Sequence, residues 1–169
     1  MAFQKSVNLV QAPGVAGDFL TANPRSSKPV SDTLQAGPNG VTVGLFAWQD
    51  STGSLLNNAG TGAPTGFVHR EMDAIITGFL AESGMLIPAG QRVGSLFNAG
   101  DFQVMNAGST TAVVGQKAFA NNTNGTISFA NAGATVAGST ETKWSCVCMI
   151  GGGTGLPGEL VGMSDTPLG

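Results

Sequence analysis

From Glu82 to Asn106 the chain reads ESGMLIPAGQRVGSLFNAGDFQVMN, two short apolar runs each bounded by a tight-turn signal. Pro88 presets φ for the second position of a β-turn, and Gly90 suits the last position of the same turn. Beyond it Gln91 to Phe97 can run extended, with Val93, Ser95 and Phe97 on one face and Arg92 and Leu96 on the other. Asn98-Ala99-Gly100-Asp101 then reverses direction, and Phe102 and Val104 share a face of the next strand. The unit predicts strand, turn, strand, turn, strand, and it carries no catalytic pattern.

The rest of the chain repeats this punctuation. Val41 to Gln49 (VTVGLFAWQ) is rich in β-branched and aromatic residues and predicts the first core strand. Asp50 to Gly66 is a loop by composition. Phe67 to Asp73 (FVHREMD) predicts a strand, and so does Ala74 to Ala81 (AIITGFLA), where Thr77-Gly78 and adjacent Ile residues disfavour a helix. Thr110 to Phe119 predicts another. Asn124-Gly125 closes a hairpin into Thr126 to Phe129. Thr142 to Ile150 and Glu159 to Ser164 are the last strands. About eight short strands without a long amphipathic helix predict an all-β jelly-roll-like β-sandwich or barrel. Two similar stretches, AGSTTAVVG from Ala107 and AGATVAGST from Ala132, share a small-residue composition that needs no repeat to explain it.

Residues 1–40 carry Pro13, Pro24, Pro29 and Pro38 among several glycines, with no period sustained across them. Their apolar members, among them Phe3, Val7, Leu9, Val15 and Phe19, argue against free solvation. The expectation is an extended N-terminal arm over residues 1–40 and a β domain over residues 41–169.

Composition narrows the function. Charged residues are 10% of the chain, against a usual share of about 25%. So little charge disperses a bare monomer poorly, which implies that partners cover much of the surface. The formal net charge is −3 and the basic residues are scattered, so no phosphate-binding groove is expected and nucleic acid is not a partner. Apolar runs fall short of the roughly 18 residues of a membrane helix, and the N-terminus lacks the continuous apolar region of a signal peptide. The expectation is synthesis in a cytoplasm and no membrane partner.

Chemistry is sparse. His69 is the sole histidine, so any triad would have to use it as base, and no G-x-S-x-G elbow occurs. Cys146 and Cys148 lie two apart on one strand, and zinc would need further ligands that the chain does not pair with them. They read as reduced, buried core residues. Gly153-Thr154-Gly155-Leu156-Pro157-Gly158 spells a dinucleotide fingerprint, but Pro157 lies inside it and only eleven residues follow, too few for the helix it must open. No enzyme, no cofactor and no metal are expected.

Five stretches, colinear and spread over most of the chain, resemble the structural cement proteins of tailed bacteriophages. They are APGVAGDFLTANPR (Ala12 to Arg25), AGPNGVTVGLFAW (Ala36 to Trp48), MLIPAGQRVGSLFNAGDFQV (Met85 to Val104), GQKAFANNTNGTISF (Gly115 to Phe129) and PGELVGMS (Pro157 to Ser164). The resemblance implies a capsid decoration protein on the outer surface of a virion, bound to an HK97-fold major capsid protein and bridging neighbouring capsomers. It implies homo-oligomers as well, a homo-dimer first and a homo-trimer second. The expected contact residues are Val15, Phe19, Pro24 and Arg25 of the arm, with His69 and Arg70 of the FVHREMD strand. A tail- or fibre-associated β-sandwich adhesin is the alternative.

Overall fold

The computed structural model describes residues 14–28, 33–70 and 85–166. Among the described residues every regular element is a strand. In chain order these are β1 (Ser26–Ser27), β2 (Gln35–Ala36), β3 (Val41–Thr42), β4 (Phe46–Gln49) and β5 (Leu55–Asn57). β6 (Gly66–Val68), β7 (Leu86–Ile87), β8 (Leu96–Ala99) and β9 (Asp101–Met105) follow. β10 (Lys117–Asn121), β11 (Ile127–Ala130), β12 (Ser139–Met149) and β13 (Leu160–Ser164) complete the set.

The strands form an all-β sandwich. One sheet has six strands in the order β1-β8-β6-β4-β5-β2, the other five in the order β11-β10-β12-β13-β9. β3 and β7 make a separate two-stranded ribbon. Neither sheet closes into a barrel. Pairing in the five-stranded sheet is antiparallel throughout, while β2 joins β5 in parallel.

Why the central strands β4, β6 and β8 read as apolar runs is now visible: both faces of the sheet are buried there. Along β4, Phe46 and Trp48 point to one hydrophobic cluster and Ala47 to another. β6 repeats the division with Phe67 and Val68, and β8 with Phe97 and Leu96. The period of two therefore sorts aromatic side chains to one side and aliphatic ones to the other. The aromatic side meets Phe102, Val104, Phe129, Trp144 and Val161 of the five-stranded sheet. Ring centroids lie 4.6 Å apart for Phe67 and Phe102 and 5.2 Å for Phe46 and Trp144. The aliphatic side is capped by Val41 and Ile87 of the ribbon, with Leu34 and Val93.

Several expectations shift in detail. Gln91 to Phe97 is strand only from Leu96 onward, and Val93 packs on the aliphatic side with Leu96 rather than on the side of Phe97, because the chain before β8 is not paired as one strand. Val41 to Gln49 is two strands, because the chain turns at Gly44, whose φ is +77°. A Cβ there would sit 3.0 Å from the carbonyl of Ala16, so only glycine lets residues 16–17 pass this close. The turn after Ile87 closes from the Gln91 N–H to the Pro88 carbonyl at 3.1 Å. Pro88 is thus its first residue and Gly90 its third. Asn98 to Asp101 does not fold β8 back on β9. Those strands belong to different sheets, and Gly100, at φ +136°, is the corner between them. Its N–H is held by Asp165 Oδ1 at 2.8 Å.

Thr110 to Phe119 is strand only from Lys117 onward. Before it, the Ala112 N–H donates to Gly155 O and the Gln116 N–H to Val113 O, so the backbone groups are used in loops. The hairpin at Asn121 to Gly125 forms, with the Asn121 N–H on Thr126 O and the Gly125 N–H on Asn121 O. Phe102 and Val104 do share a buried face. The strand expected over Ala74 to Ala81 lies outside the described residues, as does the end of FVHREMD.

Within the segment assigned to an arm, the described residues lie against the sandwich. Gly17 N–H donates to Gln103 O, Gln103 N–H to Asp18 O and Leu20 N–H to Asp101 O, at 2.7–2.9 Å. Phe19 bridges Phe102. Residues 17–20 thus cover the outer edge of β9.

Candidate interaction surface

The six residues singled out as contacts divide into a cluster and two exposed neighbours. Phe19 is the centre. Its ring stacks on the imidazole of His69, centroids 3.7 Å apart, and meets Phe97 and Phe102 at 5.5 Å. The Arg25 guanidinium lies 3.7 Å from the Phe19 ring centroid, a cation–π contact. Arg70 reaches back to Asp18, Nη1 to Oδ1, at 3.3 Å. Arg25, Phe19, His69 and Arg70 therefore come together across β1, β6 and the strap over β9. Val15 is 43% exposed, and Pro24 is exposed beside Arg25.

His69 is buried. Its Nδ1 is 2.6 Å from the Gly17 carbonyl oxygen. A carbonyl only accepts, so Nδ1 carries the proton and donates. The Gly17 to Leu20 strap is thereby held by a backbone ladder on one side and by an imidazole on the other. Glu71 and Asp73, which share the extended face of His69 in sequence, lie outside the described residues. Among the described residues no group of three or more His, Cys, Asp or Glu side chains is placed to hold a metal ion.

Asp101 completes the anchor, and sequence reading passed over it. Its Oδ2 accepts from Thr21 Oγ1 at 2.6 Å and from Asn23 Nδ2 at 2.7 Å. Burial pushes its carboxyl up, but hydrogen bonds from Ser164, Thr21 and Asn23 outweigh it and hold the pKa below the usual aspartate value. The spacing of Thr21 and Asn23, two residues apart on a strap, is the one sequence trace of this contact.

Exposed apolar side chains collect at one end of the five-stranded sheet. Met105 closes β9 opposite Leu160, which opens β13. Next to them are the loops that carry Val113, Val114 and Leu156, joined by the Ala112 N–H to Gly155 O bond. All of these except Leu160 are about half exposed: Met105 48%, Val113 54%, Val114 50% and Leu156 49%. The strap runs antiparallel to β9, so Val15 lies toward this same end. Val113 and Val114 were hidden in sequence because their neighbours alternate like a strand.

Cys146 and Cys148 are free thiols. A bulge in the pairing with β13 separates them, Cys146 opposite Met163 and Cys148 opposite Gly162. Cys146 accordingly joins the aromatic core while Cys148 faces Gly162 and Leu20. Burial pushes the Cys146 thiol up to about 11, which keeps it protonated and unreactive. The thiols do not share a face, as a bulge-free strand would have required. Among the described residues no helix is long and apolar enough to cross a membrane.

Comparison with known proteins agrees with this architecture. A solved chain from the capsid of Myoviridae phage XM1 superposes with a TM-score of 0.60 at 20% identity, over 98% of each chain. No curated protein matches. The sequence model described as XM1 gp53 minor capsid protein matches residues 3–164. The chain belongs to that family, and is a capsid-associated structural protein of a phage virion.

Proposed function

We propose that this protein is a capsid cement protein: it binds the outer surface of an HK97-fold shell and bridges neighbouring capsomers. The observation that carries the reading is the apolar end formed by Met105, Val113, Val114 and Leu156, with Val15 beside it. Large exposed apolar side chains gathered in one place mark a protein-binding surface. In a chain with 10% charged residues they have few charges around them to keep them solvated. A bridging subunit needs such a surface, because each joint it spans must bury on the order of 1,200–2,000 Å² to be stable. Symmetry then repeats the contact around an axis, as a homo-dimer or a homo-trimer of this jelly-roll-like sandwich.

In this reading residues 1–40 form the arm and residues 41–169 the domain it belongs to, with β1 and β2 of the arm segment adding strands to that domain's sandwich. Val15 and Pro24 meet the shell directly, and Arg25 and Arg70 add charge at the margin. Phe19 and His69 fix the strap from which the arm departs. The test is decoration of mature capsids stripped of their own cement, with copies counted by cryo-EM. Val113→Asp with Leu156→Asp should lower occupancy at least tenfold while the melting temperature stays put. Undiminished decoration by that variant would remove this end from the interface. If the wild-type chain leaves capsids bare but binds host cells, the adhesin reading replaces cement.

A further inference from the structure

Two buried polar atoms that find no hydrogen-bond partner among the described residues belong to side chains bordering one cavity. They are Nε1 of Trp144, on β12, and Oδ1 of Asn98, on β8. Trp144 is 3% exposed, so bulk solvent does not serve its N–H. The other indole, Trp48, does find a partner and donates to Gly62 O at 3.0 Å. Buried donors and acceptors in folded proteins are paired almost without exception, so an orphaned donor and an orphaned acceptor beside the same space call for an occupant. The space is about 280 Å³ and lies between residues 63–65 ahead of β6, Asn98, and residues 141–144 of β12.

This cavity follows an open edge of β12. Side chains of successive strand residues alternate faces, and here Thr142 and Trp144 are buried while Glu141 and Lys143 are exposed. Four consecutive residues on both faces meet at one cavity where the edge of the strand is open. β10 holds the opposite edge, with Asn121 against Ser139 and Phe119 against Glu141. β13 reaches back only to Ser145, which it meets through Ser164, its last residue. Among the described residues, then, no strand lies beside Ser139 to Trp144 on that side. The Asn122 N–H donates to Gly138 O. That bond sets the alternation of the ladder, so the N–H and C=O of Glu141 point away from β10.

We propose that this edge docks an extended segment of a partner protein and that the cavity takes an asparagine or glutamine side chain from it. The main chain of the segment pairs with the outward N–H and C=O of Glu141. Its carboxamide supplies both missing partners, the C=O accepting from Trp144 Nε1 and the NH₂ donating to Asn98 Oδ1. A carboxylate has no proton for Asn98, and an ammonium has no lone pair for Trp144. A hydroxyl serves both atoms but leaves most of the 280 Å³ unfilled. A sugar ring fits poorly, because Trp144 is buried in the core instead of offering a ring face, and further hydroxyls would lie against Ala63 and Pro64. Strand addition takes its affinity from main-chain hydrogen bonds and its specificity from side-chain pockets of this kind.

The site is separate from the apolar end assigned to the shell. β12 carries the open edge in its first half and approaches that end only through Met149, opposite Val161. Both surfaces can therefore be occupied at once, and the inference goes beyond capsid binding.

The test uses the full chain, labelled with ¹⁵N, and the designed peptide acetyl-TVQVT-amide. Titration should move the Trp144 indole N–H signal saturably and leave that of Trp48 in place. Exchange of the Glu141 amide should slow in the complex. Acetyl-TVEVT-amide and acetyl-TVLVT-amide should bind about tenfold more weakly, because they leave a buried polar atom unpaired. Trp144→Phe and Asn98→Leu, made separately, should each weaken TVQVT binding and erase its advantage over TVLVT. Val113→Asp with Leu156→Asp should leave peptide binding unchanged, which separates this site from the capsid-binding surface. A Trp144 signal that does not respond to millimolar peptide would overturn the proposal. So would equal affinity for the three peptides, binding undiminished by both Trp144→Phe and Asn98→Leu, or a Trp144 indole as protected from exchange in the free chain as that of Trp48.

Discussion

The two edges of the five-stranded sheet pose the same physical problem and meet it differently. On the β9 side the chain lays its own Gly17 to Leu20 along the edge, and three backbone hydrogen bonds tie it there. On the β11 side one bond, from Ala107 to Ile127, covers the start of the strand and the rest opens into a groove. An uncovered edge is a template for another strand. What separates the edges is side chains. Phe19 locks the strap by inserting between His69 and Phe102, whereas the loops bordering β11 carry hydroxyls and methyl groups that shape a slot without filling it.

Removing the floor under the sealed edge should have the largest effect. Phe102 is fully buried and contacts the rings of Phe19, Phe67 and Phe97. Phe102→Ala should cost about 3–5 kcal/mol in denaturant unfolding, through lost burial and the cavity left behind. A loss under 1 kcal/mol would mean that the strap, not the inter-sheet core, holds this ring.

Phe19→Ala attacks the seal itself. The ring is only partly buried, so about 2 kcal/mol is expected, including the Arg25 contact. Hydrogen exchange gives the sharper readout. In the wild type the Gln103 amide, which donates to Asp18 O, should exchange far more slowly than that of Phe129. Phe19→Ala should bring the two rates together. If Gln103 stays protected, the backbone ladder closes the edge unaided.

The smallest effect is electrostatic. Asp101 has a folded-state pKa lowered from its ordinary value by its hydrogen bonds, so its contribution is complete above the unfolded value and is lost as pH falls through the folded one. Asp101→Asn should cost about 1–2 kcal/mol at pH 7. The difference between variant and wild type should shrink as pH drops below about 4. A gap that persists in acid would assign the effect to geometry rather than charge.

Much of the sandwich was legible in the residues. β-Branched and aromatic runs marked β4, β12 and β13, the Asn124-Gly125 pair marked the β10–β11 hairpin, and alternation placed Phe102 and Val104 on one face. Gly44 and Gly100 were less transparent, because a glycine looks the same in a hairpin, a break and a corner. The contact cluster was half legible: Phe19, Arg25, His69 and Arg70 were singled out separately, but nothing local said that they meet. Asp101 escaped notice because its partners lie 78 and 80 residues away.

By itself, then, the sequence determined that this chain is all-β and, within unbroken strands such as β4, β6 and β9, which side chains share a face, since both follow from local periodicity and turn chemistry. Tertiary structure decided which sheet each strand joins, how the strap seals one edge, and that the other edge remains a groove. Those outcomes depend on pairings between distant residues, where the hydrogen-bonding capacity of every edge is the same and only packing selects the partner.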